Sequence, residues 1–374
     1  MIINLGSGDL NNGFEQVSAQ LWASDHPLPE QFIGSLPAAP VLVEQYRSWQ
    51  LIYQTICSRK QLRSSEEEDD DELEFALGGI TNVSIVRFEE LGQNLHNTIN
   101  AWLKSQEFLN IDRQLRSRLL PTEEIRVIVE ANDVLLRQLP WHRWNFFQDY
   151  SNAEMALSRS EYKRACSSPP KVPKDRVRIL AILGNSKGID LEVETRFLKS
   201  LPDAEVYFLI NPSRSEFTTQ LWNKAGWDIL FFAGHSQTSG KTGRIYINDN
   251  QTNNSLTIEQ LEEALKAAIE NGLSLALFNS CDGLGLALAL EKLNIPTVIV
   301  MREPVPNRVA QDFFEHFLAA FAVEQLPLYL SVQQARRKLQ GVEDEFPGAS
   351  WLPVICQNPA VEPPTWLGLG GILP

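Results

Sequence analysis

The chain has 374 residues, 43% of them hydrophobic and 21% charged, and its 47 acidic side chains outnumber 33 basic ones to give a net charge of −14. So acidic a surface repels nucleic acid phosphates and anionic membrane faces, which both call for clustered Lys and Arg, and neither is expected as a direct partner. The length exceeds one average domain, and two are expected.

The N-terminus, MIINLGSGDL, has no basic leader or long apolar run, and no apolar stretch reaches the roughly 18 residues that a membrane span needs. Further on, INLG (3–6), VSAQLW (17–22), VSIVRF (83–88) and IRVIVE (125–130) have the β-branched and aromatic composition of strands. Leu91 to Leu103 is amphipathic at helical spacing. Within this region SSEEEDDDELE (64–74) is a block of like charge that resists compaction and reads as a solvated loop. CSSPPKVPKDR (166–176) carries three prolines, which can neither continue a helix nor fill an inner strand. It marks a linker, with one domain over 1–165 and a second over 177–374.

Past the linker, short apolar runs alternate with helix-period segments. The runs are VRILAIL (177–183), AEVYFLI (204–210), WDILFFA (227–233), LSLALF (273–278), TVIVM (297–301) and LPVIC (352–356), each apolar on both faces as buried parallel strands are. Leu191, Thr195 and Leu198 give the first intervening helix one face. Thr257 and Gln260 form a capping box ahead of the face made by Ile258, Leu261, Leu265 and Ala268, and Gly272 follows its end. GRIYINDN (243–250) is a strand of an accessory hairpin. The class is α/β, a mostly parallel six-stranded sheet flanked by helices. EEIRVIVE in the first domain echoes DRVRILAIL in the second, so the first is expected to be a smaller, degenerate α/β copy.

Two apolar strands end in chemistry-bearing residues. WDILFFA runs into Gly234-His235-Ser236, and LSLALF into Asn279-Ser280-Cys281-Asp282-Gly283. Carboxyl ends of strands are where open parallel sheets place their sites. A thiol is a good nucleophile as thiolate, and an imidazole together with a helix start near Gly283 would lower a pKa that begins near ~8.5. The four cysteines, at 57, 166, 281 and 356, make no CxxC pair, which speaks against a zinc site or a disulfide framework and for reduced thiols in a cytoplasmic protein. His26, His96, His142 and His316 have no partner at metal or triad spacing and read as surface or packed residues.

AGHSQ (233–237) and FNSCDGLGLA (278–287) resemble the histidine and cysteine boxes of CHAT-domain proteins, a family in the caspase, gingipain and separase clan of cysteine peptidases. The resemblance extends from Ile125 to Trp366 through LPWHRW (139–144), GNSKGIDLE (184–192) and ASWLPVICQNP (349–359). The histidine-to-cysteine separation is also close to the roughly 50 residues of caspase-like folds. The resemblance implies a caspase-like second domain behind a degenerate pseudo-peptidase first domain. It further implies an endopeptidase in which Cys281 attacks the scissile carbonyl, His235 acts as base and then acid, and the backbone N–H groups of Ser236 and Cys281 hold the oxyanion. No metal or cofactor is needed. A protein substrate is implied, with an activating protein or added domains as further partners; a Gly- and Ser-rich loop (236–243) would be mobile in a latent enzyme.

In caspase-like folds the P1 pocket is lined by the loop after the first strand, the residues beside the cysteine, and the loop after the following strand. Here those are Asp190, then Asn279 and Asp282, then Met301 to Pro304. Asp190, Asp282 and Glu303 lean the pocket weakly to Lys or Arg at P1; Arg302 pulls the other way, and Asp190 has an equal claim as the cap of the next helix. Two other functions stay open at this level. One is a non-catalytic caspase-like interaction or signalling scaffold. The other is a nucleotide-binding signalling module, since GNSKG (184–188) follows a strand and precedes a helix, although it matches neither established phosphate-binding fingerprint.

Overall fold

Alternation in Gly13–Leu21 turns Phe14, Val17, Ala19 and Leu21 to the interior, so that segment is held as a strand by one buried face. The computed structural model describes residues 1–23, 28–65, 82–163, 175–185, 191–239, 242–250, 254–280 and 283–371. They fall into two compact units, Met1–Ser160 with Val342–Gly348, and Glu161–Gly341 with Ala349–Pro374. The expected linker lies largely outside the described residues, as do most of the acidic run and His26. The return of 342–348 to the first unit has no signal in the sequence.

In the first unit β1 (Ile2–Asn4), β2 (Gly8–Asp9), β3 (Gly13–Leu21) and β4 (Glu30–Leu36) precede α1 (Pro40–Ser65), α2 (Asn82–Leu103) and α3 (Leu109–Arg116). There follow β5 (Ile125–Glu130), two short helices, α4 (Val134–Gln138) and α5 (Phe146–Asp149), and β6 (Ala153–Ser158). β1, β5 and β6 lie parallel, while β3 pairs antiparallel with β1, β2 and β4. One strand expectation fails: VSIVRF is the first part of α2. Its β-branched composition suggests period two, but burial of Phe88, Leu95, Ile99 and Trp102 follows the helical period. Phe88 packs on Trp49 of α1 at 5.6 Å between ring centres, and Trp49 stacks on Tyr53 at 5.3 Å. That aromatic contact decides the helix over the strand.

The second unit contains the expected six strands: β7 (Val177–Leu183), β8 (Ala204–Ile210), β9 (Ile229–Ala233), β13 (Leu275–Asn279), β14 (Thr297–Met301) and β15 (Pro353–Gln357), the accessory β10 to β12 being given below. Their spatial order is β15-β14-β13-β9-β7-β8. The first five in sequence are parallel and β15 runs antiparallel to β14, in keeping with a mostly parallel sheet. β8 departs from expectation: at the sheet edge it leaves Tyr207 and Ile210 exposed, so its apolar run does not signify burial on both faces.

Helices α6 (Glu192–Lys199), α7 (Arg214–Leu221), α8 (Glu262–Glu270), α9 (Leu284–Lys292), α10 (Asn307–Leu318), α11 (Leu328–Lys338) and the short α12 (Trp366–Leu369) complete the unit. Thr257 and Gln260 bond reciprocally as a capping box, although the chain makes a 3-10 turn over Glu259–Leu261 before α8 begins. Phe231 of β9 meets Phe314 of α10 edge-on at 5.9 Å, and both are buried. No helix among the described residues is long and apolar enough to cross a membrane.

Candidate active site

β9 and β13 are adjacent and parallel, with Asn279 opposite Ala233 at their carboxyl ends. The Gly234 N–H donates to the Asn279 carbonyl at 3.3 Å. The chain therefore leaves the two strands side by side, into His235 on one and toward Cys281 on the other. Gly234 has φ +149, outside the comfortable range of an L side chain, and this lets the backbone turn sharply off the sheet.

Cys281 and Asp282 themselves lie outside the described residues, and so does Asp190. The ends of the cysteine loop are described. On one side Asn279 is buried, and its side-chain amide donates to Glu194 Oε1 at 2.9 Å. On the other side the Gly283 N–H donates to the Met301 carbonyl at 3.1 Å, and the Gly283 carbonyl accepts the first bond of α9 from Ala287. A Cβ at Gly283 would overlap the Val300 side chain. α9 starts at Leu284, and its N-cap Gly283 has no side chain to cap the first turn.

His235 is half-buried and its carbonyl accepts the Tyr246 N–H at 2.9 Å. Ser236, also half-buried, opens an accessory sheet of β10 (Ser236–Ser239), β11 (Thr242–Tyr246) and β12 (Ser255–Thr257), all antiparallel. Of the Gly- and Ser-rich segment 236–243, the described residues pair as strands, from Ser236 opposite Ile245 to Ser239 opposite Thr242, while 240 and 241 lie outside the described residues. The hairpin is laced to the neighbouring loops: the Asn185 N–H donates to the Tyr246 carbonyl at 3.0 Å, and the buried Asn248 amide donates to the Pro212 carbonyl at 2.9 Å.

Glu303 follows β14 and is buried beside the equally buried Arg302. α6 begins at Glu192, and its N-cap position, Leu191, makes no side-chain cap. Sequence reasoning passed over Glu194 and Gln311. Glu194 sits in the first turn of α6, where an acid is ordinarily a solvated dipole partner, yet it is fully buried and accepts from Gln311 of α10 at 3.2 Å. Among the described residues no cluster of His, Cys, Asp and Glu is arranged to hold a metal.

The mostly parallel sheet flanked by helices defines an α/β unit. The family description "CHAT domain" matches residues 89–356, and the chain belongs to that family. Among solved structures, the Arg-specific cysteine proteinase gingipain R is similar at 9% identity and a TM-score of 0.43, over 73% of this chain and 69% of that one. Separase from Saccharomyces cerevisiae, in its complex with securin, is similar in two structures at 11% and 12% identity and TM-scores of 0.40 and 0.41. In both, 84% of this chain is covered but 22% of the separase chain. No curated protein matches the sequence.

Proposed function

We propose that the chain is a cysteine endopeptidase in which Cys281 and His235 form the catalytic dyad. The observation that carries the reading is the parallel register of Asn279 with Ala233, which starts the cysteine and histidine loops from neighbouring strand ends. Membership of the CHAT family supports it.

In this reading the Cys281 thiolate attacks the scissile carbonyl carbon. A C–S bond forms as the carbonyl π pair moves to oxygen, where the N–H groups of Cys281 and Ser236 stabilise it. Collapse breaks the C–N bond, and the proton held by His235 passes to the leaving amine. Water then gives a proton to His235 as its oxygen attacks the thioester carbonyl, and collapse breaks the C–S bond, releasing the carboxylic acid and restoring the Cys281 thiolate beside protonated His235. Asp190, Asp282 and Glu303 give the P1 pocket a weak preference for Lys or Arg, with Asn279 at its base. The first unit is an inactive relative of the second: its parallel β5 and β6 end in Glu130 and Ser158, with no histidine or cysteine there. The enzyme acts in the cytoplasm and is latent until an activating protein or added domain engages it.

The test is hydrolysis of fluorogenic peptides with Arg, Lys, Asp or Met at P1, comparing the parent with Cys281→Ala and His235→Ala. Each substitution is expected to lower kcat/KM by at least about 10³-fold. Turnover that persists in Cys281→Ala removes that thiol from the mechanism, and cleavage after Asp in place of Lys and Arg reverses the pocket assignment.

A further inference from the structure

We infer that Glu194 is a positioning residue for Cys281, acting through Asn279; the inference rests on the reading of Cys281 as the reactive thiol. Glu194 is fully buried on α6, and Asn279 is the last residue of β13, two positions before the cysteine. The Asn279 Nδ2 donates to Glu194 Oε1 at 2.9 Å, while Gln311 Nε2 on α10 donates to Oε1 and Oε2, each at 3.2 Å. Asn279 also accepts the Gly234 N–H through its carbonyl at 3.3 Å, one residue before His235. The Asn279 side chain is thereby tied directly to α6 and through Glu194 to α10, and its backbone carbonyl to the histidine loop.

A carboxylate in the interior is costly unless it is well solvated, and the Asn279 and Gln311 amides are among the groups that solvate it here. Packing alone would be served as well by an apolar side chain of the same volume. Charge-assisted bonds to a carboxylate are shorter and stiffer than amide-to-amide bonds, so the choice of Glu fixes the Asn279 rotamer more tightly than a neutral acceptor would. Fixing Asn279 fixes the exit direction of the chain toward Cys281 relative to His235. A thiol held within reach of the imidazole is a thiolate at neutral pH; one released from it returns toward its ordinary pKa near ~8.5. Displacements of about 1 Å at a reacting group can cost up to about a hundredfold in rate.

The experiment measures alkylation of Cys281 by iodoacetamide from pH 5 to 9, quantified on its own peptide by mass spectrometry, with Cys281→Ala as the assignment control. Glu194→Ala is expected to slow alkylation at pH 7 by about tenfold or more and to move its pH midpoint upward. Glu194→Gln, isosteric and expected to fold even where Ala does not, should fall between. The double variant Glu194→Gln/Asn279→Asp exchanges donor and acceptor across the same contact and should return to within about threefold of the parent. Parent-like rates and midpoints in Glu194→Gln, whatever its thermal stability, or a double variant no faster than Glu194→Gln, would overturn the assignment. Because the readout is thiol reactivity, Glu194-dependent alkylation in a parent that hydrolyses no peptide sinks the peptidase reading alone. Normal peptide turnover in Glu194→Gln sinks the positioning role alone.

Discussion

Tyr246 donates its backbone N–H to the His235 carbonyl at 2.9 Å, and its own carbonyl accepts the N–H of Asn185 at 3.0 Å. The accessory sheet therefore acts as a strut between the loop after β7 and the loop bearing the proposed base. Gly184 lies directly beneath it: a Cβ there would collide with the Tyr246 carbonyl and crowd the Phe232 ring.

Gly184→Ala is accordingly expected to push the Tyr246 strand away from the sheet and carry His235 with it. Overpacking of this kind costs about 1–3 kcal/mol, measurable as a lower midpoint in urea denaturation. Peptidase kcat should fall by more than the loss of folded protein accounts for. An Ala variant of parent stability and activity would mean that the strut yields freely.

Gly283→Ala probes the other end of the cysteine loop, where the new methyl group would run into Val300. β14 is central and fully buried, so Val300 cannot retreat. A destabilisation of about 1–3 kcal/mol is expected in chemical denaturation. Val300→Gly, which removes both the Cβ and the Cγ1 that the new methyl group would meet, at the cost of a cavity, should restore part of the alkylation rate of Cys281 in the Gly283→Ala background. No recovery would show that Gly283 matters for its backbone and not for the space beside it.

The strands that bear the site were readable because each is a short apolar run ended by a polar turn, and VRILAIL, AEVYFLI and TVIVM coincide with β7, β8 and β14. Their direction was not readable, since apolar composition reports burial alone. The antiparallel course of β15 is visible only in its pairing of Thr297 with Gln357, whose side chains bond at 2.8 Å. His235 and the approach to Cys281 were legible from strand-end position. Glu194 was not, because a first-turn acid looks the same whether solvated or buried, and Asn279 and Gln311, which donate to it, are distant in sequence. VSIVRF misled because three β-branched residues outweighed a helical face carried by Phe88 and residues beyond the segment.

Thr257→Ala should weaken the 3-10 turn over Glu259–Leu261 that leads into α8. The hydroxyl accepts the Gln260 N–H at 3.3 Å and the Gln260 side chain accepts the Thr257 N–H at 3.0 Å. Losing such a cap costs about 1 kcal/mol. Thr257→Ser keeps the acceptor and should lie within a few tenths of the parent, both being read from urea midpoints. Equal losses in Ala and Ser would assign the effect to the Thr methyl group and not to the cap.

Acidification should cost stability through two histidines away from the site. His96 is held below the ordinary histidine range by partial burial and then by Arg143 and Lys104; a hydrogen bond to the Arg143 backbone opposes the shift. His316 is held below it by partial burial and then by Lys338, against Asp312 and Glu315. A lowered folded-state pKa means that the unfolded chain binds protons first. The contribution is therefore fully present above the unfolded histidine value of about 6.5 and is lost as pH falls through the depressed folded values. Solvent reaches both rings, so the effect is small and screened by salt. The urea midpoint should decline more steeply from pH 7 to pH 5 in the parent than in His96→Gln/His316→Gln. Identical slopes in the two proteins would place the acid sensitivity in the carboxylates instead.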